Sequence, residues 1–518
     1  MFLQPIIDAL LLPTAFPEAP GTITLVQTHV SYLIFTDKFV YKIKKPVDFG
    51  FLDFTTLEKR RYFSEEEVRL NSRLAPGVYI GVVKIVSIKG SIKIEGVGEA
   101  IEYAVKMKRL PEESMLKRAL TDGEVPEEVI RRVAQRVAAF HAGAETTGHI
   151  ASFGLPEFVS RNASENFTQT DPFVGRIITG ALHERLKYWT EGFIEANSGL
   201  LRARAGNGSV RDCHGDIHTE HISIADGINI IDCIEFNERF RYADIVADMA
   251  FLSMDLDYLN RRDLSEAFDD EYFRASKDVE GRRLLDFYKC YRACVRGKVE
   301  GFKSTEKEVP EGERLSSVLS ARYHFHLAGL YASEWRPTVV MVRGLSGIGK
   351  STLARMIADV TNLAVLSTDN IRKVLAGLKT TEKAPSRFGE GIYSAEFTEM
   401  TYMEMIARAA SLLAKGRSVI LDATFSKARH AEEAQKAALR AGARAYIIEC
   451  VAGDETVKGR LLKRDAECAV KGMPVSDAGW GVYLKQKEGY EAVRPDIIVN
   501  SERPFEESLP RLFEEVFG

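Results

Sequence analysis

At 518 residues, with 45% hydrophobic, 28% charged and 9% aromatic residues, the chain is too long for one hydrophobic core and too apolar for a disordered or fibrous protein. Its formal net charge is −4, and from Pro337 onward 26 Lys and Arg face 24 Asp and Glu, so neither part is a basic arm for nucleic acid. The six cysteines, Cys213, Cys233, Cys290, Cys294, Cys450 and Cys468, form no C-x-x-C pair, so neither a zinc site nor a disulfide framework is signalled and a reducing cytoplasm is the expected location.

Met1 to Pro5 lack a basic n-region, and no apolar run approaches the roughly 18 residues of a membrane span, so neither an export signal nor a membrane partner is expected. Alternating runs at Thr22–Val26, Tyr32–Phe35 and Phe39–Ile43, with Thr36-Asp37-Lys38 as a turn, predict antiparallel strands. A charged helical pattern follows over Leu57–Leu74, then strand-like runs at Ile80–Ile88, Ser91–Glu95 and Tyr103–Leu110, so this region predicts a small sheet carrying one helix. Pro126 reads as a first-turn proline ahead of a helix over Val129–Phe140, and helical patterns dominate from Leu182 to Trp335 apart from short strands around His214–Asp232.

Within those strands lies Cys213-His214-Gly215-Asp216-Ile217-His218-Thr219-Glu220-His221, followed by Ile231-Asp232-Cys233-Ile234-Glu235-Phe236-Asn237. An acid two residues after a histidine, with a second acid after the next strand, is the order in which a protein-kinase-like site carries its catalytic base and a magnesium ligand. Asp216 and Asp232 take those roles, unless the segment is only a polar turn between strands. His141, His183, His324 and His326 show no ligand spacing and read as structural or surface residues. Packing and surface charge account for Tyr288, Tyr291, Arg292 and Arg296, although an acceptor groove would use the same residue types.

At Trp335-Arg336-Pro337 a helical stretch gives way to the β-branched run Thr338–Val342, which predicts domains at 1–336 and 337–518. Strands at Ala364–Ser367, Ser418–Leu421, Ala445–Cys450 and Asp496–Val499 then alternate with helices, the signature of a parallel α/β sheet. Gly344-Leu345-Ser346-Gly347-Ile348-Gly349-Lys350-Ser351 matches G-x-x-x-x-G-K-[ST], the P-loop or Walker A pattern. Its backbone N–H groups face phosphates, Lys350 reaches the β and γ phosphates and Ser351 ligates Mg2+; the nucleotide set is Gly344, Ser346, Gly347, Ile348, Gly349, Lys350, Ser351 and Thr352. Just after the second strand of this domain, Asp369 is placed to accept the proton of an attacking hydroxyl, with Arg372 to hold a substrate anion, or else Asp369 is the N-cap of a helix beginning at Asn370. Asp422 ends an apolar strand and is the candidate acid for magnesium or its water; Arg460 and Arg464 share a helical face as candidate lid arginines or a solvated face.

On these residues the C-terminal domain resembles the P-loop kinases grouped around gluconate kinase, zeta toxin and polynucleotide kinase. The resemblance implies acceptor handling by Asp369 and Arg372, a lid bearing Arg464, and further acceptor contacts from acids and arginines of Thr380–Glu399. Residues 20–335 resemble the aminoglycoside phosphotransferase and choline kinase branch of the protein-kinase-like fold. That likeness implies a bilobal α+β domain with Lys42 as the phosphate-binding lysine (Lys44 the alternative), Glu67 as its helix partner, a hinge at Tyr103–Leu110 and Asp248 as the structural aspartate. The chain departs from that pattern twice: His221 stands where the branch has a magnesium-binding asparagine, and Gln27-Thr28-His29-Val30-Ser31 offers no glycine for a phosphate-covering loop. As a whole, the chain resembles bacterial two-part proteins that join these halves. An ATP- and Mg2+-dependent transfer to a small sugar-like or nucleoside-like hydroxyl, or to the 5'-hydroxyl of a nucleic acid, is expected. The alternatives are a nucleotide-operated switch with a non-catalytic N-terminal half, and an antibiotic kinase using the N-terminal site.

Overall fold

In a computed structural model, which describes residues 3–123, 125–379, 389–470 and 479–518, the chain divides into two units that each pack chiefly within themselves. The first comprises Met1–Asn162, Gly192–Asp255 and Glu266–Tyr288; the second comprises Ala163–Glu191, Leu256–Ser265 and Lys289–Gly518. The break in pattern at Trp335-Arg336-Pro337 lies inside the second unit.

The alternating N-terminal runs form β1 (Thr24–Gln27), β2 (Ser31–Phe35), β3 (Phe39–Lys44), β4 (Tyr79–Ile88), β5 (Ser91–Ile94) and β6 (Ala100–Lys108). They make an antiparallel sheet of order β1-β2-β3-β6-β4-β5. Its period-2 pattern buries Ile34, Tyr41, Ile43, Ile85 and Ala104 on one face, which is sealed by Leu3, Ile6, Ile7 and Leu10 around the short helix Gln4–Ala9. The segment Tyr103–Leu110, read both as a run of the sheet and as a hinge, is mostly strand: β6 lies between β3 and β4, and only Arg109 and Leu110 lie beyond it.

The helix Leu57–Asn71 starts at Thr56, whose side chain accepts the Lys59 N–H. Its buried stripe, Arg60, Ser64, Glu67 and Asn71 with Leu70, is chiefly polar, so specific pairing and not apolar area seats it. Arg60 forks onto the buried Glu102, with Nη2 2.7 Å from Oε2, while Asn71 Oδ1 accepts the Cys233 N–H at 2.9 Å. The helix Glu127–Gly143 carries the apolar spacing expected of it, but Pro126 is its N-cap, with extended backbone (ψ 141°), and not a first-turn residue. Two short antiparallel pairs frame the His214 loop: β7 (Val210–Asp212) with β10 (Tyr242–Asp244), and β8 (Ile222–Ser223) with β9 (Asn229–Ile230).

The second unit is built on a parallel sheet of order β12-β13-β11-β14-β15, with β11 Thr338–Arg343, β12 Ala364–Ser367, β13 Val419–Asp422, β14 Arg444–Val451 and β15 Ile497–Asn500. All six residues of β11 are buried, as a central strand covered on both faces requires. The helical segments grouped with this sheet are tied to it by specific bonds: Asn260 exchanges two hydrogen bonds with the Ser418 backbone (2.8 and 3.0 Å), and Tyr258 OH donates to the Val360 carbonyl at 3.1 Å. Among the described residues no helix is long and apolar enough to cross a membrane.

Candidate functional sites

Strand register brings three sequence motifs to one edge of the parallel sheet. Asp422, the last residue of β13, is level with Val342 of β11 and Ser367 of β12. The chain enters the P-loop two residues after Val342 and the helix Thr368–Leu375 immediately after Ser367. This is the carboxyl edge of the sheet, where α/β folds open their ligand crevice.

The P-loop turns sharply as soon as β11 ends. Gly344 has φ +149°, and a Cβ there would lie 2.8 Å from Ile348 Cγ2 and 3.1 Å from the Cys450 carbonyl oxygen, so only glycine fits. Gly349, with φ +107°, is the N-cap of the helix Lys350–Thr361, which places Lys350, Ser351 and Thr352 in the first turn, where the helix dipole and N–H groups favour phosphate, the Thr352 N–H also donating to the Gly349 carbonyl at 3.1 Å. Lys350 is half-buried, and no carboxylate among the described residues lies within ion-pair distance of it. Asp422 is 4% exposed, and its Oδ1 has no hydrogen-bond donor among the described residues. Both charges act on Cys450: burial pushes that thiol up to about 12, Lys350 pulls it down and Asp422 pushes it up. An oxygen-donor pair of Ser351 hydroxyl and buried carboxylate suits Mg2+.

Asp369 sits in the first turn of Thr368–Leu375, as the second residue of the helix, and the N-cap is Ser367; the cap reading is therefore corrected. Its carboxylate is more than half exposed and 3.4 Å from Lys373. Arg372 lies 4.8 Å over the Tyr393 ring, with Nη2 3.5 Å from Thr398 Oγ1 and a buried Nε that has no partner among the described residues. Arg460 does not extend as a lid arm: its guanidinium donates to the Ile348 carbonyl at 3.2 Å, to Ser501 Oγ at 3.0 Å and to the Ser501 carbonyl, bracing the P-loop from behind. Arg464, one turn further along the helix Asp454–Val470, is half-buried. Of the segment from Thr380 to Glu399, residues 380–388 lie outside the described residues, while Glu399 pairs with Arg429 and lies 3.0 Å from His430 Nε2.

Two contributors carry no motif. Arg343, fully buried at the end of β11, donates to the carbonyls of Phe425, Glu491 and Val493, and Gln486 Oε1 accepts the Ser346 N–H at 3.0 Å. An arginine ending an otherwise apolar strand was the one available signal for the first. Three residues past Asp422, the buried Phe425 holds φ +46° with its N–H on Tyr402 OH at 2.9 Å, backbone strain of the kind that gathers at functional sites.

In the first unit β3 projects Lys42 and Lys44 on one face, and Glu67 takes both: Lys42 Nζ is 2.8 Å from Oε1 and Lys44 Nζ is 2.7 Å from Oε2. Lys42 also meets Asp232 Oδ1 at 2.7 Å, whereas Lys44 turns to Glu235. Of the two lysines, Lys42 therefore touches the acid of the motif. Burial opposes every charge here; Asp232 and Glu67 nonetheless hold Lys42 above its ordinary range, and Lys42 and His221 hold Asp232 below its own. At Glu235 burial prevails and the carboxyl is raised despite Lys44.

Asp248 is the anchor expected of it. It accepts the N–H groups of His214 (3.0 Å) and Gly215 (2.7 Å) and lies 3.0 Å from His141 Nε2; burial alone would push it up, but these bonds hold it at about 2. The loop so fixed carries Asp216, whose Oδ2 is 3.5 Å from His218 Nε2 and 3.4 Å from His221 Nδ1, while His221 Nε2 is 3.6 Å from Asp232 Oδ2. The glycine-free turn is closed on itself: Thr28 N–H donates to the Ser31 carbonyl, and Thr28 Oγ1 accepts the N–H groups of Val30 and Ser31. Glu235 and His218 were not assigned to this cluster from motif order alone.

Residues 64–288 match the family described as "Phosphotransferase enzyme family", and residues 339–486 match that described as "AAA domain". Uncharacterized proteins of Mycobacterium tuberculosis (Rv2004c) and Mycobacterium bovis (Mb2027c) are similar at 31% identity over 441 residues, 85% of this chain and 85% of theirs. Among solved structures, a choline/ethanolamine kinase family protein from Mesorhizobium loti is similar over 64% of this chain and 99% of its own (10% identity, TM-score 0.36). A gluconokinase from Sinorhizobium meliloti is similar over 36% and 91% (16% identity, TM-score 0.24). The chain is a kinase and belongs to the bacterial two-part proteins that join a phosphotransferase-enzyme-family half to a P-loop kinase half.

Proposed function

We propose that the P-loop site transfers the γ-phosphoryl group of ATP, taken up with Mg2+, to an acceptor hydroxyl on a small sugar-like or nucleoside-like alcohol or on a nucleic-acid 5' end. The observation that carries this reading is a pair of uncompensated groups at one sheet edge: Lys350 without a carboxylate partner and Asp422 with a buried, unpartnered Oδ1 among the described residues. Charges left in that state stabilise nothing in the folded chain and are matched to a ligand carrying both phosphate and cation.

Lys350 and the first-turn N–H groups neutralise and hold the phosphates. Ser351 and Asp422 would hold Mg2+, which supplies charge neutralisation on the phosphate oxygens when bound. Asp369 accepts the acceptor's proton, Arg372 holds an acceptor anion and Arg464 covers the phosphates; positioning and charge stabilisation supply most of the rate. Residues 1–336 and 337–518 are proposed as the working halves of a cytoplasmic protein, with Lys42, Glu67, Asp216 and Asp232 forming the second site. The closed Thr28 turn favours one variation, in which this second site binds without catalysing transfer.

The test is incubation with labelled ATP and a panel of sugars, nucleosides, aminoglycosides and 5'-hydroxyl oligonucleotides. Label should pass to one acceptor class, and Lys350→Ala should remove at least about 100-fold of that turnover without lowering Tm, because the lysine has no carboxylate partner among the described residues. Unchanged turnover in that variant would overturn the reading; ATP consumption indifferent to every acceptor would replace it with a nucleotide-operated switch.

A further inference from the structure

The kinase-like pattern puts magnesium between Asp232 and position 221, and the donor set does not fit it. Magnesium demands oxygen ligands, and position 221 here offers an imidazole. A second imidazole stands beside it: the His218 and His221 rings are 3.9 Å apart between centroids. Asp216 Oδ2 is common to both, 3.5 Å from His218 Nε2 and 3.4 Å from His221 Nδ1. One ligand atom from each of Asp216, His218 and His221 falls within 4.8 Å of the other two. Bonds of about 2.0–2.2 Å to nitrogen and oxygen put neighbouring ligands roughly 3–3.5 Å apart around one ion, so little movement is needed to close the set.

The scaffold fixes the loop that carries the three donors. Thr219, between the histidines, is pinned by Asp255, which accepts its N–H at 2.8 Å and its hydroxyl at 2.6 Å. His221 N–H donates to the His218 carbonyl at 3.0 Å, and the Phe251 ring lies 5.5 Å from the buried His218 ring. On the far side, Asp232 Oδ2 lies 3.6 Å from His221 Nε2. In the metal-free chain His221 Nδ1 donates to the Asp216 carbonyl at 3.0 Å; when a metal displaces that proton and binds Nδ1, Asp232 stands where an outer carboxylate must be to take the ring's other N–H.

We infer that Asp216, His218 and His221 bind a divalent transition-metal ion of the zinc or manganese class in place of magnesium, with Asp232 orienting His221. Two imidazoles and a carboxylate form a ligand set that such ions accept, leaving positions open for water or a phosphate oxygen. The inference does not depend on the P-loop reading.

The experiment uses the full chain, stripped with a chelator and kept free of nucleotide so that the P-loop has no phosphates through which to gather a cation. After incubation with Zn2+ or Mn2+ and gel filtration, one ion per chain should be retained, and a 100-fold excess of Mg2+ should not displace it. Co2+ in the same site should give a visible d–d absorption band. His221→Asn and His218→Gln should each weaken retention by about 10- to 100-fold, whereas Asp422→Asn should leave it unchanged. No retained ion and no Co2+ band in the wild type, displacement by equimolar Mg2+, or retention indifferent to both histidine variants would overturn the assignment. The wild-type spectrum decides the matter even if a variant fails to fold.

Discussion

Asp369 is the second residue of its helix, two positions past the N-cap, and that placement separates two uses of a carboxylate. A residue at the N-cap would donate about 1 kcal/mol of stability through a side-chain bond to a backbone N–H; Ser367 holds that position and makes no such bond. In the first turn, with Lys373 at 3.4 Å, Asp369 gains only a few tenths of a kcal/mol from the helix dipole and an exposed pair. Asp369→Asn should therefore lower kcat by roughly 100-fold or more, as expected for a lost general base, with ATP affinity and Tm near wild type. Turnover within a few-fold of wild type would remove Asp369 from the mechanism. Asp422 makes the converse case: its buried oxygen, unpartnered among the described residues, costs about 1–3 kcal/mol in the free protein. Asp422→Asn, read by calorimetry beside turnover, should raise Tm by a few degrees while activity falls; a lowered Tm would show the carboxylate to be structural.

Elements were legible in the sequence where their own period carried them. β11 to β15 lie within a residue or two of the predicted runs, because short β-branched runs between helices have few other readings. The helix Gln4–Ala9 escaped, since six residues are too few to display a 3.6-residue period. The P-loop glycines and the Asp216 and Asp232 pair were readable because motif spacing encodes them locally, whereas Lys42 and Glu67 came only from the resemblance to the phosphotransferase branch. The bracing around them was not: Ser346 and Gln486 are 140 positions apart, and Lys44 and Glu235 are 191 apart, so only the fold makes them neighbours. The cradle itself yields a prediction at this scale. Gly344→Ala must push Ile348 Cγ2, met at 2.8 Å, and force alanine into φ +149°, which costs about 1–3 kcal/mol and displaces the Ile348 N–H. KM for ATP should rise at least tenfold, and more than kcat falls; an unchanged KM would mean that the loop tolerates the side chain and does not rely on this turn.

At the scale of the whole molecule, acid sensitivity of the second unit should centre on a histidine outside both sites. His326, in the helix Glu311–Tyr331, is 6% exposed, lies 6.0 Å from the Tyr323 ring at 14° and meets the Phe517 ring edge-on at 5.4 Å. Burial, followed by the positive charge of Arg444, pushes it down to about 3, against a smaller upward pull from a hydrogen bond with the Phe517 backbone. The unfolded chain titrates this group near 6.5, so between pH 6.5 and 3 the unfolded state binds more protons than the folded one. The contribution of neutral His326 is thus fully present above about pH 6.5 and is lost as pH falls toward 3. At about 1.4 kcal/mol for each pH unit below the unfolded value, the loss by about pH 4.5 is about 3 kcal/mol. His326→Leu keeps an apolar side chain in the stack and removes the titration. The informative quantity is the difference in Tm between about pH 7.5 and about pH 4.5, in which any cost of repacking cancels. That difference should shrink by several degrees in the variant; equal differences in variant and wild type would place the acid sensitivity on other groups.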